Sequence, residues 1–169
     1  MIKLACNSLI AVGEGQWMDA EDFIEFAYQL RLDSVDFQRD RGLRSHDRDY
    51  LMRLKRACLR RGLPIGFLGI GGGFVGSTTL PGVGVVGAPL PRDELRRRID
   101  EVKAAVDDAA FIGAPCVRVF GGSIPEATEA SDALWFEMIA SFQEVADYAA
   151  DRGVFIGLHN HPPDAQHNS

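Results

Sequence analysis

The sequence predicts an α/β fold of about five βα units, arranged either as an open doubly wound sheet or as the first five strands of an eight-stranded barrel. Three observations predict it. Short apolar runs begin near residues 2, 34, 64, 116 and 154. Between successive runs, apolar residues recur at helical spacing, the pattern of parallel strands joined by crossover helices. The last run, VFIGLHNH from Val154 to His161, carries no charge as far as Leu158 and is followed at once by Pro162 and Pro163. A buried parallel strand that delivers polar groups to one end of a sheet reads in this way.

The elements follow in order. The strand near 2–8 ends in Asn7 and Ser8, and a glycine-containing loop spans Val12 to Trp17. Asp19 is placed as an N-cap, with Glu21 and Asp22 in the first turn and Phe23, Phe26, Ala27 and Leu30 on one helical stripe. The second strand is 34–38. Leu51, Leu54, Cys58 and Leu59 mark the inner face of a second helix, closed by Gly62 as its left-handed cap. The third strand, 64–70, runs into Gly71–Pro91, which holds seven glycines and three prolines and reads as a long mobile loop. A third helix covers about Arg92 to Ile112, with Leu95, Ile99, Val102, Val106 and Ala109 or Ala110 inward and Gly113 as its stop. The fourth strand is 116–120. A polar loop then leads to a helix whose stripe is Leu134, Met138, Phe142, Val145 and Tyr148 or Ala149, and Gly153 separates it from the fifth strand, 154–159.

At 169 residues and 46% hydrophobic, the chain suits one domain spanning 1–169 with one sizeable core. A net charge of −6 argues against nucleic acid as partner, since such binding is driven by basic surfaces, and favours small metabolites or proteins. Cys6, Cys58 and Cys116 are widely spaced in apolar segments, as free thiols in a reducing cytoplasm are. The start has too short an apolar run for a signal peptide, and no stretch of about 20 apolar residues suggests a membrane span.

Four groups of residues invite a functional reading. GIGGGFVG at 69–76 lacks the immediate helix start of a dinucleotide fingerprint, so a lid over a pocket is preferred to a phosphate cradle. Arg92, Arg96, Arg97, Arg98 and Lys103 are interleaved with acids and read as a solvated helix face. Asp36 and Arg118 lie in apolar strands where an unpaired charge is costly, which suggests a charge pair between alternate strands of a barrel, with a solvated Asp36 as the other reading. His159 and His161 alternate to the same side, placed like ligands at a strand's carboxyl end, although a metal site needs at least a third donor.

RVFGG at 118–122, DRG at 151–153 and VFIGLHNHPP from Val154 resemble the xylose isomerase-like TIM-barrel superfamily, the sugar phosphate isomerase and epimerase group; IKLACNSL and LRLDSVDF are similar too. The resemblance implies a partial (β/α)8 barrel, because such barrels need roughly 250 residues. It implies a divalent metal (Mn, Mg, Co or Zn) and metal-assisted proton transfer through an enediolate on a sugar or polyol. His159 stands where many members carry a metal-binding Glu, and is the metal candidate here. Asn7, Phe67, Arg118 and His161 are the substrate-binding candidates, and no residue is assigned as acid or base.

Strands six to eight have no counterpart in the sequence, so the remaining ligands lie elsewhere and the chain alone is expected to be inactive. A gene fragment, a truncated product and one part of a split barrel all fit. Five open strands leave two edges, which predicts a homo-oligomer or a complementing half-barrel. The alternatives are an endonuclease IV-like DNA-repair hydrolase, which needs a basic groove, and a noncatalytic βα-repeat module that binds a partner.

Overall fold

A computed structural model of the chain describes residues 3–14, 16–80, 84–122 and 132–160. The sheet at its centre has five parallel strands: β1 (Ala5–Asn7), β4 (Ser34–Gln38), β5 (Ile65–Gly69), β8 (Cys116–Phe120) and β9 (Phe155–His159). Their spatial order is the order of the sequence, β1-β4-β5-β8-β9, each strand pairing with the next. A doubly wound sheet reverses its order at a switch point, and this one does not. Monotonic order is the topology of a barrel wall, so the chain is a partial barrel. Among the described residues two short antiparallel ribbons complete the strands: β2 (Ala11–Gly13) with β3 (Gln16–Trp17), and β6 (Gly76–Leu80) with β7 (Gly84–Ala88).

Four helices cover one face: α1 (Ala20–Gln29), α2 (Arg48–Arg61), α3 (Arg92–Ile112) and α4 (Asp132–Ala150). Asp19 does cap α1, accepting the Glu21 N–H at 3.0 Å. Gly62 and Gly113 end α2 and α3 with φ of 65° and 90°, a left-handed step that costs any other residue more. Strand alternation then sorts the sheet. Val35, Phe37, Leu68, Val117 and Val119 point outward to the helices and are buried with Phe23, Ile24, Leu51, Leu54, Val106 and Val145. The other parity, with Asp36, Gln38, Arg118 and His159, forms the opposite, inner face.

Several sequence expectations need correction. Leu30, placed on the stripe of α1, is its C-cap and 55% exposed, and the segment from Val12 to Trp17, read as a loop, contributes to β2 and β3. Leu59, placed on the inner stripe of α2, is 70% exposed; Tyr50, Leu51, Leu54 and Cys58 are the buried set. The segment 71–91 is more than a loop. It carries the β6–β7 ribbon, and its base is tied down: the Phe74 N–H donates to Gly121 O at 3.0 Å, and Val75 bridges Gly122 in parallel. Phe74 is buried edge-on against Phe142 with 4.9 Å between ring centroids. A Cβ on Gly73 would collide with the Gly122 backbone, so glycine marks a close approach here, with no need to invoke mobility.

The arginines of α3 behave as read from sequence. Arg97 pairs with Glu94 and Glu101, Arg96 with Asp100 and Glu144, and Arg98 with Glu94, all on a partly or fully exposed face. Among the described residues, no helix is long and apolar enough to cross a membrane.

Candidate functional site

The inner face becomes polar towards the carboxyl ends of the strands, where parallel α/β sheets bind their ligands. Register explains how. Gln38 is opposite Gly69, Gly69 opposite Arg118, and Arg118 opposite Gly157. One row across four strands therefore alternates long and absent side chains. The Arg118 guanidinium crosses β5 over Gly69 and donates from Nη2 to Gln38 Oε1 at 2.7 Å. A Cβ on Gly69 would overlap Gln38 Oε1 and come within 3.0 Å of Arg118 Nη2, so the crossing requires glycine.

Gln38 is held in turn. Its Nε2 donates to Asp40 Oδ1 at 2.7 Å, and its backbone N–H donates to the buried Ser8 Oγ at 3.1 Å. The guanidinium carbon lies 4.7 Å from the Phe120 ring centroid and 5.3 Å from that of Phe67. The Phe120 and His159 rings stack at 5.0 Å, and Arg118 Nη1 is 3.1 Å from His159 Nδ1. Burial pushes the Arg118 guanidinium below its ordinary value, while the nearby charges of Asp40 and Asp36 act in the opposite sense.

The Asp36–Arg118 charge pair suggested by the sequence does not form. Asp36 sits two residues before Gln38, one inward-facing position below the Arg118 row, so its carboxylate meets a different neighbour. β5 bulges between its pairings with Val35 and Phe37, and Asp36 Oδ1 accepts the Phe67 N–H at 3.1 Å. Nor is Asp36 solvated: it is buried, and desolvation raises its carboxyl above the usual 3.8, opposed by the Phe67 N–H and the more distant Arg118 charge.

Of the residues singled out from sequence, Phe67, Arg118 and His159 come together. Asn7 shares the inner face, opposite Asp36, and uses its Oδ1 to accept the Leu9 N–H at 3.0 Å. His161 lies outside the described residues. Sequence reading missed Gln38, Asp40 and Phe120. Gln38 and Phe120 were visible in principle, since each falls two residues after an inner-face residue already noted, Asp36 and Arg118.

The described residues hold no complete site for the divalent cation implied by the sequence resemblance. Among the described residues no group of three or more His, Cys, Asp or Glu side chains converges. A guanidinium also occupies the approach to His159 Nδ1.

Comparison with known proteins agrees with this architecture. Residues 22–168 match the family model described as xylose isomerase-like TIM barrel. Among solved structures, the chain is similar to a xylose isomerase domain protein from Planctomyces limnophilus, at 20% identity and a TM-score of 0.61, covering 81% of this chain and 47% of that one. It is similar to D-psicose 3-epimerase from Clostridium cellulolyticum H10, solved with D-tagatose, at 15% identity and a TM-score of 0.65, covering 92% and 51%. A third is 3-keto-D-glucoside 4-epimerase from E. coli, at 11% identity and 0.63, covering 92% and 54%. The chain thus spans about half the length of these structures. A search of curated proteins finds no match.

Proposed function

Because the chain belongs to the xylose isomerase-like TIM barrel family, we propose that it forms one wall of a sugar or polyol isomerase or epimerase site, its inner face binding and orienting the substrate. The observation that carries this reading is the Arg118 row. A fixed guanidinium, a carboxamide and an imidazole converge over two aromatic rings at the rim where parallel strands bind ligands, which suits a small molecule rich in hydroxyl oxygens. The epimerase structures of the same fold support the substrate class.

The reaction class is proton removal next to a carbonyl, with return of the proton to the neighbouring carbon or to the opposite face. Arg118 and Gln38 present donors to substrate oxygens; Phe67 and Phe120 give the sugar ring an apolar floor. The proton-transfer groups come from the complementing part of the barrel, so this chain alone binds without turning over.

Assembly follows from the same geometry. β1 and β9 are edge strands, and Phe155 and Leu158 on β9 are 74% and 60% exposed, beside exposed Trp135, Phe136 and Ile139 on α4. This edge is proposed to accept a complementing half-barrel or a second copy, in the reducing cytoplasm that suits three free cysteines.

A titration tests the binding reading. A ketohexose added to isotope-labelled protein should shift the resonances of Gln38, Phe67, Arg118 and Phe120, and Arg118→Met should weaken binding roughly 10- to 100-fold, the loss of one charge-assisted hydrogen bond. Shifts confined to the helical face would sink it.

A further inference from the structure

We propose that the cavity between α3 and the carboxyl end of β5 is a second carbohydrate subsite, taking the hydroxyl groups of an uncharged sugar unit next to the one held by the Arg118 row. This rests on the sugar-binding reading and deepens it, because it makes the ligand a glycoside or disaccharide in place of a single hexose.

The cavity measures about 230 Å³. Pockets for drug-sized ligands begin at roughly 300 Å³, so one small unit is what it holds. Its floor is apolar: Ile70, Phe74, Val102 and Val119 are all buried. Its polar groups are of both kinds. Arg98 is fixed, donating from Nε to Glu94 Oε1 at 2.8 Å and from Nη1 to Gly73 O at 2.7 Å, which leaves Nη2 without a partner among the described residues. Asp40 supplies an acceptor. Its Oδ1 takes the Gln38 Nε2 donor at 2.7 Å, while its Oδ2 lies over Gly71, 2.5 Å from where a Cβ would stand. Arg41 Nε, 4.0 Å from that oxygen, is too far to donate to it. The backbone adds donors. Ile70 and Phe74 give their N–H groups to Arg118 O and Gly121 O at 3.0 Å each, whereas those of Gly71, Gly72 and Gly73 donate to no group among the described residues, although Gly73 is buried. Buried backbone donors rarely stay unpaired.

Charge selects the class of ligand. Arg97 and Arg98 share the wall with Asp40 and Glu101, and Arg97 is already taken up by Glu94 and Glu101. A phosphate or carboxylate would meet two carboxylates, and a cation would meet two guanidinium groups. A hydroxyl suits both, since it gives its hydrogen to Asp40 Oδ2 and accepts from a glycine N–H or from Arg98 Nη2. Asp40 also joins the cavity to the Arg118 row, with one oxygen towards Gln38 and the other over Gly71. A ligand that spans the two crosses the strand end where Gly71 has no side chain to block it.

The test follows the resonances of the ¹⁵N-labelled protein as isomaltulose (a glucosyl-fructose), D-fructose or inorganic phosphate is added to about 100 mM, well above a weak Kd of ~1 mM. The disaccharide should shift Gly71, Gly72 and Gly73 together with Gln38 and Arg118, and bind roughly 10-fold more tightly than fructose. Phosphate should leave the glycines unmoved. Asp40→Asn, of the same shape, keeps an oxygen for Gln38 Nε2 and turns an N–H donor towards the cavity, so the disaccharide should lose about 10-fold in affinity. A saturable phosphate response at the glycines, stronger in Asp40→Asn, overturns the inference and makes the cavity an anion site. Disaccharide shifts at Gln38 and Arg118 alone overturn the subsite and leave the sugar reading of the row intact. Shifts at the glycines alone uphold the cavity and overturn the reading of the row. No response at either place overturns both.

Discussion

A single methyl group at position 69 should uncouple the inner row without breaking the fold. Gly69 is absent from the positive-φ glycines, so its backbone accepts alanine, but the added Cβ would overlap Gln38 Oε1 and crowd Arg118 Nη2. The Arg118–Gln38 hydrogen bond is the contact that must give, and a bond to a charged group in a half-buried place contributes about 1.5–3 kcal/mol. Against that, alanine restricts the unfolded chain and returns about 0.4–1 kcal/mol. Gly69→Ala is therefore expected to destabilise by about 1–2 kcal/mol. In a Gln38→Ala background the overlapping atom and the bond are both gone, so the same change should stabilise by about the 0.4–1 kcal/mol that alanine returns. Urea unfolding of the four proteins of this cycle, read from midpoints at constant slope, gives a coupling of about 1.5–3 kcal/mol if the row is as described. Additivity within about 0.5 kcal/mol would refute the reasoning, because it would mean that Gly69 and Gln38 do not share a contact.

Asp36 makes a prediction about pH. Burial raises its folded value above 3.8, so below 3.8 it is protonated in both states and carries no penalty; stability is lost as pH rises from there through the raised folded value. Asp36→Asn keeps an acceptor for the Phe67 N–H and cannot ionise, so its Tm should rise relative to the parent across that window. A fall would mean that attraction to Arg118 outweighs desolvation. Cys58 is buried, with its thiol pushed up to about 12, so roughly 10⁻⁴ of it is thiolate at pH 8. A disulfide reagent should modify it only after urea unfolds the chain, and rapid labelling of the native protein would contradict its burial.

How far the sequence disclosed this structure differs by element. Helices were legible because their signals are local: the Asp19 cap, the glycine stops at 62 and 113, and apolar stripes with a period near 3.6. Strand positions were legible for the same reason, to within a few residues at each end. The β6–β7 ribbon was not, since repeated glycines read as freedom of the chain, whereas Gly73 is small because Gly122 lies against it. The candidate site was half legible. Arg118 and His159 announced themselves as polar groups in apolar strands, but their partners depend on inter-strand register. An Asp36–Arg118 pair is reasonable if strands two and four align at those residues; the observed register aligns Gln38 with Arg118 instead, across Gly69.

The register argument also explains why this rim can hold its shape on polar contacts. Neighbouring strands lie about 4.8 Å apart, so a bond from β8 to β4 must span two gaps, roughly 10 Å, across whatever β5 presents between them. Only a residue without a side chain leaves that path open, and only a long side chain reaches along it. Arg118, Gly69 and Gln38 satisfy both conditions, and Ser8 and Asp40 extend the connection to the ends of β1 and β4. Four bonded groups thus tie the carboxyl ends of three strands, β1, β4 and β8, together on the inner face. In such a half-buried network, a partner removed leaves the other unsatisfied, at a cost greater than the net worth of the bond itself. The rim is therefore more sensitive to the loss of Gln38 or the gain of a methyl at Gly69 than to removal of any one exposed ion pair on α3, whose partners return to water.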